Sequence, residues 1–407
     1  MKSDALFSDL LVIDCASFVA GPAAATILAD YGARVIKVEP PGIGDGYRQL
    51  QHLPGMPRGG GNYPWKVTNR NKESLALDLK QPQGRAVLDR LLEKADVFIT
   101  NYPLGVRDRL KINYDDIRAV NPRAIYASLT PYGESGPEAG HTGYDATAWW
   151  ARSGLMDSIR ATKDSPPAMS VPGMGDHMSA NTLYGAIATA LYKRERTGQG
   201  SAVGTSLMAN GLWSNALYVQ GALDGADLSV RMSSENLSAF TQIYRCRDDR
   251  WFMLTLLPQV QEVMWPELAR CLGHSEWAED GRFLDIAMRK KNNAVLTDLL
   301  RGAFEQQDWS SWRDLFEKRG ITCGRIAKSA DHGEDEQALA AGMITNFDDG
   351  SGSRTVDSPL YVSGEKKCIP RRAPEVGEHS LGILQEFGWD EGAAADLCAA
   401  GIVGAPE

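Results

Sequence analysis

The chain has 407 residues, 43% apolar and 23% charged: an ordinary composition for a folded protein, and a length that predicts two domains. A net charge of −9 excludes a general nucleic-acid binder, which needs a basic surface for phosphates. No uncharged apolar run approaches the ~18 residues that would span a membrane, and six scattered cysteines without a CxxC pair fit neither a zinc site nor a disulfide framework.

That cysteine usage points to a reducing compartment, and a cytoplasmic location is expected. The N-terminal stretch MKSDALFSDLLVIDCASFVAGP is apolar, but Asp9 and Asp14 interrupt it and only one Lys precedes it, so it does not read as a signal peptide. LLVID (10–14) reads as a buried strand and AAATILADYG (23–32) as a helix stopped by Gly32. RVIKVE (34–39) and SLALDL (74–79) are strands separated by a long loop. PQGRAVLDRLLEKA (82–95) is a helix with Val87, Leu88, Leu91 and Leu92 on one face. DVFITN (96–101) and AIYASLTPYG (124–133) are further strands. Strands alternating with helices predict a parallel α/β sheet that binds ligands at its strand ends.

Next, HMSANTLYGAIATALYKRER (177–196) is a long helix with an apolar stripe at Leu183, Tyr184, Ile187, Ala190 and Leu191, ended by Gly198. SLMANGLWSNALYVQGAL (206–223) is another. After the polar break DGADLSVRMSSENLS, TQIYRCRDDRWFMLTL (241–256) reads as a hairpin turning at Arg247–Arg250, and helical segments run to about 319. The expected organisation is a large α/β domain at 1–224, a small α+β domain at 225–330, and a C-terminal segment, 331–407, returning to the large domain.

Several features carry chemistry. The first strand–helix–strand, with Gly21 in its turn and Glu39 ending its second strand, imitates a dinucleotide fold. It offers one glycine where the fingerprint of a nicotinamide or flavin oxidoreductase needs three. Arg70 and Lys72 before one strand, and Arg107 and Arg109 after another, put positive charge where phosphates could be held. Gly59, Gly60 and Gly61, followed by Tyr63 and Trp65, form either an active-site lid or a plain flexible loop. No G-x-S-x-G elbow occurs. His177 has no second His or Cys at helical spacing, so no metal site is expected.

In VPGMGDHMSA (171–180), Asp176 sits where a helix starting at His177 would have its N-cap. Capping alone explains it. The same helix end would keep the carboxylate anionic, and an anionic carboxylate in a dry pocket can attack an activated acyl carbon, with Gly173 and Gly175 leaving room for substrate. Local pattern leaves both readings open.

The order of the motifs goes further. VIDCASFVAGPAAATILADYGARVIKVEPPGIGD, NRNKESLALDLKQPQGRAVLDRLLEKADVFITNYPLGVRDRL, GYDATAWWARSGLM, GDHMSANTLYGAIATALYKRERTGQG and RRAPEVGEHSLGILQEFG together resemble the class III CoA-transferases, which include formyl-CoA transferase, and the related α-methylacyl-CoA racemases. The resemblance implies a large Rossmann-like domain and a small α+β domain in an interlocked, ring-like homodimer. It implies that Asp176 carries the acyl group through aspartyl–acyl anhydride and aspartyl-CoA intermediates. Val19, Ala20, Lys72, Asn101, Tyr102, Arg109 and Leu110 fall where the family contacts CoA, and Tyr132 falls near the acyl site. No tightly bound cofactor is implied; coenzyme A and acyl-CoA are substrates, with a carboxylic acid as acceptor.

Two departures refine this. Racemases of this kind carry a histidine in the segment written here as GYDATAWW. Tyr144 stands there instead, with His141 three residues early and His177 on another element, which favours transfer over racemisation. Ser17 and Val19 occupy turn positions where formyl-CoA transferase carries polar side chains, and its glycine-rich small-domain loop is not evident in RMSSENLSAF. Trp65, Trp149, Trp150, Met156, Met174 and Met178 instead suggest a larger apolar, aryl, branched or 2-hydroxy acyl group, with His177 shaping its pocket. A non-catalytic CoA-binding protein is the remaining alternative.

Overall fold

In the computed structural model, which describes residues 5–162, 164–228 and 237–406, six strands lie side by side: β1 (Leu11–Cys15), β2 (Arg34–Glu39), β3 (Lys72–Leu77), β4 (Val97–Thr100), β5 (Ile125–Thr130) and β6 (Ala202–Ser206). Their order is β3-β2-β1-β4-β5-β6 with every pair parallel, and the short terminal strand Val403–Gly404 adds antiparallel to β3. The order reverses at β1, the position where such sheets open a crevice for ligands.

Alternation along the strands decides which helices cover which face. Val12, Val35, Val97, Ile99 and Ala127 point to one side, against α1 (Ala20–Asp30) and a long helix, Met174–Thr197. Ile13, Ile36, Phe98 and Tyr126 point to the other, against α3 (Pro82–Leu92), α5 (Tyr114–Val120) and the C-terminal helix Ser380–Glu386. Between these helices lie α2 (Tyr63–Asn69) and α4 (Leu104–Leu110). Apart from a two-residue shift at β3, the strands fall where the apolar runs predict them. β6 escapes notice because AVGTS is short and built of small residues.

The long helix, α6, begins at Met174, three residues before the position that pattern suggests. The segment 206–223 is two helices, α7 (Leu207–Ser214) and α8 (Ala216–Leu223), divided at Asn215, whose backbone leaves the helical region and whose side-chain amide donates to the Ser153 carbonyl at 2.9 Å.

The chain divides into two units. The first runs to Ile159, resumes over Pro167–Gln220, and takes up everything from Gln337 onward. The second comprises Arg160–Pro166 and Gly221–Glu336. In it β7 (Thr241–Arg245) and β8 (Trp251–Thr255) form the expected hairpin, and β9 (Cys323–Arg325) pairs antiparallel with β8. Helices enclose Phe252, Trp265, Phe304, Trp312 and Phe316 against this small sheet. The stretch 231–236, where a glycine-rich loop was sought, lies outside the described residues.

Candidate active site

At the C-terminal ends of β1, β4 and β5 the first unit encloses a cavity of about 720 Å³. The β1–α1 turn, the segment after β4, the loop 139–146 and the first residues of α6 form its walls. Leu50, Leu53, Met56 and Tyr63 add apolar surface.

The β1–α1 turn is held in an unusual shape. Phe18 has φ of 62°, the left-handed region that a bulky side chain rarely adopts. Asp45 Oδ1 accepts the Phe18 N–H at 3.1 Å, and the Asn101 amide brackets Ser17, accepting its N–H at 2.8 Å and donating to its carbonyl at 2.7 Å. The Phe18 ring meets Tyr144 edge-on, with centroids 6.1 Å apart. Beneath the turn lies a buried set of charges. Lys37 pairs with Asp45 at 2.8 Å and donates to the Ala16 carbonyl, while Lys72 pairs with Asp14 at 2.8 Å. Burial opposes the charge on Lys37, but Asp14 and Asp45 outweigh it and hold the lysine above its ordinary value.

Asp176 is the third residue of α6, not its N-cap; Gly173 occupies the cap position with φ of 75°. The half-buried Asp176 carboxylate lines the cavity and accepts no hydrogen bond among the described residues. Burial, and secondarily the neighbouring Asp145, push its pKa up to about 7. The expectation of a capping carboxylate is therefore corrected: Gly173 is the cap, and burial raises the Asp176 pKa.

Asp145 is a residue that sequence reasoning passed over. It opens a wide π-type turn, Asp145–Ala151, and lies 7% exposed in the same wall. Its Oδ1 accepts the Gly175 N–H at 3.1 Å, and its Oδ2 is buried without a partner. Burial pushes its pKa up to about 6, against the Gly173 and Gly175 N–H groups, which lower it. Gly175 does not leave space for substrate. A Cβ there would stand 2.3 Å from Trp149 Cγ and 2.4 Å from Asp145 Oδ1, so this glycine lets α6 approach the π-turn. An invisible signal explains the omission: nothing in GYDATAWW marks its aspartate as a partner for a residue 30 positions on.

Of the residues singled out from sequence, Ser17, Val19, Ala20, Tyr63, Asn101, Tyr102, His141, Tyr144, Gly173, Asp176 and His177 line this one cavity. The others do not. Lys72 is 3% exposed, and its ammonium is consumed by Asp14, the Pro22 carbonyl at 2.7 Å and Asn69 at 3.0 Å. Arg109 is exposed on the last turn of α4, and Leu110 packs beneath that helix. Gly59, Gly60 and Gly61 are exposed outside the wall, all with positive φ. Trp65 is buried, donating to the Pro374 carbonyl at 3.1 Å under a stacked Arg48. Tyr132 packs against the core with Arg152 over its ring. Trp149, Trp150, Met156, Met174 and Met178 also fail to reach the cavity, whose apolar lining comes from Phe18, Leu50, Leu53, Met56 and Leu104. His141 joins the wall despite its offset in sequence.

Among the described residues, no three His, Cys, Asp or Glu side chains come together as a metal site would need, and no helix is long and apolar enough to cross a membrane.

Residues 7–380 match the model of CoA-transferase family III. The chain belongs to this family. Among its curated relatives is a (R)-2-hydroxy-4-methylpentanoate CoA-transferase of Clostridioides difficile, 30% identical over 95% of this chain and 96% of the relative. A cinnamoyl-CoA:phenyllactate CoA-transferase of Clostridium sporogenes is 29% identical over 95% and 94%, and an acetyl-CoA:oxalate CoA-transferase of Acetobacter aceti 31% over 94% and 95%. The crystal structure of a CAIB/BAIF family protein from Brucella suis superposes with a TM-score of 0.81, covering 93% of this chain and 98% of that one at 29% identity. Membership of family III supports transfer of CoA between acids and a thioester as substrate. A dinucleotide oxidoreductase, already short of two glycines, has no support from these relatives.

Proposed function

We propose that the protein moves CoA from an acyl-CoA donor to a carboxylic acid acceptor, with Asp176 as the covalent carrier. The observation that carries this reading is a carboxylate without hydrogen-bond partners on the wall of a largely apolar cavity. Desolvation leaves such a group basic and nucleophilic. An Asp176 oxygen bonds to the thioester carbonyl carbon, and the C–S bond breaks, giving the mixed anhydride and CoA thiolate. The thiolate then bonds to the Asp176 carboxyl carbon and the anhydride C–O bond breaks. This releases the donor acid and leaves aspartyl-CoA. The acceptor carboxylate attacks that thioester carbon, expelling thiolate, and thiolate attack on the acceptor carbonyl releases the new acyl-CoA and the free Asp176 carboxylate. Acyl activation is retained throughout, so the net reaction requires neither a proton nor ATP.

CoA would enter along the Val19–Ala20 turn, with Asn101 and Tyr102 beside it and the exposed Arg109 at the outer end. The apolar lining and the hydroxy-acid and phenyllactate relatives favour a larger acid than formate or oxalate. The proposal includes an interlocked homodimer in the cytoplasm with no tightly bound cofactor; light scattering tests the dimer.

The decisive experiment adds hydroxylamine to enzyme and acyl-CoA and maps the modified peptide. Modification at Asp176, with transfer abolished and acyl-CoA binding retained in Asp176→Ala, is expected; modification elsewhere, or near-normal turnover of the variant, overturns the assignment. A second reading, proton exchange at the acyl α-carbon, is favoured by one observation: His141 and His177 share the cavity with Asp176. Deuterium uptake at that carbon without any acceptor acid would establish it.

A further inference from the structure

His177 is the third residue of GDH and has a more defined geometry than its exposure suggests. Its Nδ1 lies 2.7 Å from the Gly173 carbonyl oxygen. A carbonyl only accepts, so this ring nitrogen carries the proton. In the neutral imidazole the lone pair then sits on Nε2, which has no partner among the described residues. Gly173 offers this carbonyl from a backbone at φ of 75°, a conformation that side chains rarely adopt. The imidazole is thus tied to the start of α6 in one tautomer, presenting an acceptor to the cavity beside Asp176. His141, in the same wall, has no side-chain hydrogen bond among the described residues to orient it.

We infer that His177 Nε2 accepts a hydrogen bond from a hydroxyl on C2 of the acyl group, making it a specificity-determining residue for 2-hydroxy acids. This rests on the CoA-transferase reading. When the acyl carbonyl carbon is bonded to Asp176, C2 is one bond further on, inside the cavity that His177 also lines. Leu50, Leu53 and Met56 supply apolar surface, while of the polar side chains in the wall Asn101 is engaged with the Ser17 backbone and Tyr63 with the Pro57 carbonyl. A hydroxyl that leaves water for the apolar part of this surface gains nothing unless it meets a partner, and His177 Nε2 is an acceptor with no other hydrogen bond among the described residues.

The test is identity exchange, in which an isotope-labelled acid displaces its unlabelled twin from the matching CoA thioester, so that the natural donor need not be known. The pairs are 2-hydroxy-4-methylpentanoate with 4-methylpentanoate, and phenyllactate with 3-phenylpropanoate. The wild-type protein is expected to favour each hydroxy acid in kcat/KM by about tenfold, the scale of one well-placed hydrogen bond. His177→Phe keeps a ring but no acceptor and brings the ratio to within about twofold of unity while still exchanging the deoxy acids; His177→Gln retains part of the preference. A wild-type preference that survives in His177→Phe, or equal loss on both members of a pair, overturns the inference alone. No exchange of any acid by the wild-type protein overturns the CoA-transferase reading as well. Nitrogen NMR of the labelled imidazole gives an independent check: a proton on Nε2 in place of Nδ1 removes the premise.

Discussion

The Gly175 N–H donates to Asp145 Oδ1 at 3.1 Å, so the residue just before Asp176 is fastened to the carboxylate that also raises the Asp176 pKa. Asp145 thus bears on the placement of the candidate nucleophile and, after burial, on its basicity. Two consequences can be separated by mutation.

Gly175→Ala tests placement. The added methyl would overlap Trp149 and Asp145, both buried, so α6 has to shift. Overpacking of this kind costs about 1–3 kcal/mol, and an ångström of displacement at the reacting group costs on the order of 100-fold in rate. Stopped-flow transfer assays and urea denaturation should show both losses together. Full activity would mean that the start of α6 adjusts freely.

Asp145→Asn tests basicity. The amide oxygen can still accept from Gly175, but the neighbouring negative charge is gone. Transfer needs ionised Asp176, so the wild-type rate should fall as pH drops through about 7. In the variant that acidic limb should move to lower pH, since burial alone then raises the pKa. A pH–rate profile decides; a limb that stays in place removes Asp145 from the electrostatics.

Asp176→Asn tests the stability cost of the site. The folded-state pKa of Asp176 is raised from 3.8 to about 7, so the folded protein binds this proton more tightly than the unfolded chain. Its cost to stability is absent below the unfolded value, grows as pH rises between the two, and is complete above about 7. The amide removes it. We expect the variant to be more stable than wild type at pH 8 by about 1–3 kcal/mol, allowing for partial exposure, and to lose that advantage near pH 4. Equal stability at both pH values would contradict a desolvated carboxylate.

Lys72→Ala separates a CoA contact from a structural role. Asp14 is fully buried, and without Lys72 its nearest cation is Lys37 at 4.0 Å. Breaking a buried pair on one side costs about 3–5 kcal/mol. The expected result is a lowered urea midpoint. Unchanged stability with a raised KM for acyl-CoA would restore Lys72 to the ligand site.

The sheet was legible because its buried strands are apolar runs punctuated by Gly32, Pro82 and Gly198, signals local to each element. Asp176 was singled out by the order of motifs around it, and it does line the cavity. Lys72 was misread because a lysine before a strand looks the same whether it faces solvent or a buried aspartate 58 positions earlier. Trp65 and the Trp149–Trp150 pair were misread for a related reason: proximity in sequence to pocket residues does not fix which way a ring turns. Asp145 and the Phe18 backbone went unseen because each acquires its meaning from a partner on another element, Gly175 in one case and Asp45 in the other.

Asp14, Lys37, Asp45 and Lys72 cancel in charge at neutral pH, and all four are sealed from water. Mobile ions reach exposed charges within a Debye length of about 10 Å at 0.1 M but do not enter such a cluster. Added salt should therefore leave the turn that carries Phe18 undisturbed while weakening attraction between phosphate groups and the exposed Arg109. Ionic strength becomes a way to dissect the cavity: what salt alters belongs to its outer rim, and what salt spares belongs to its floor.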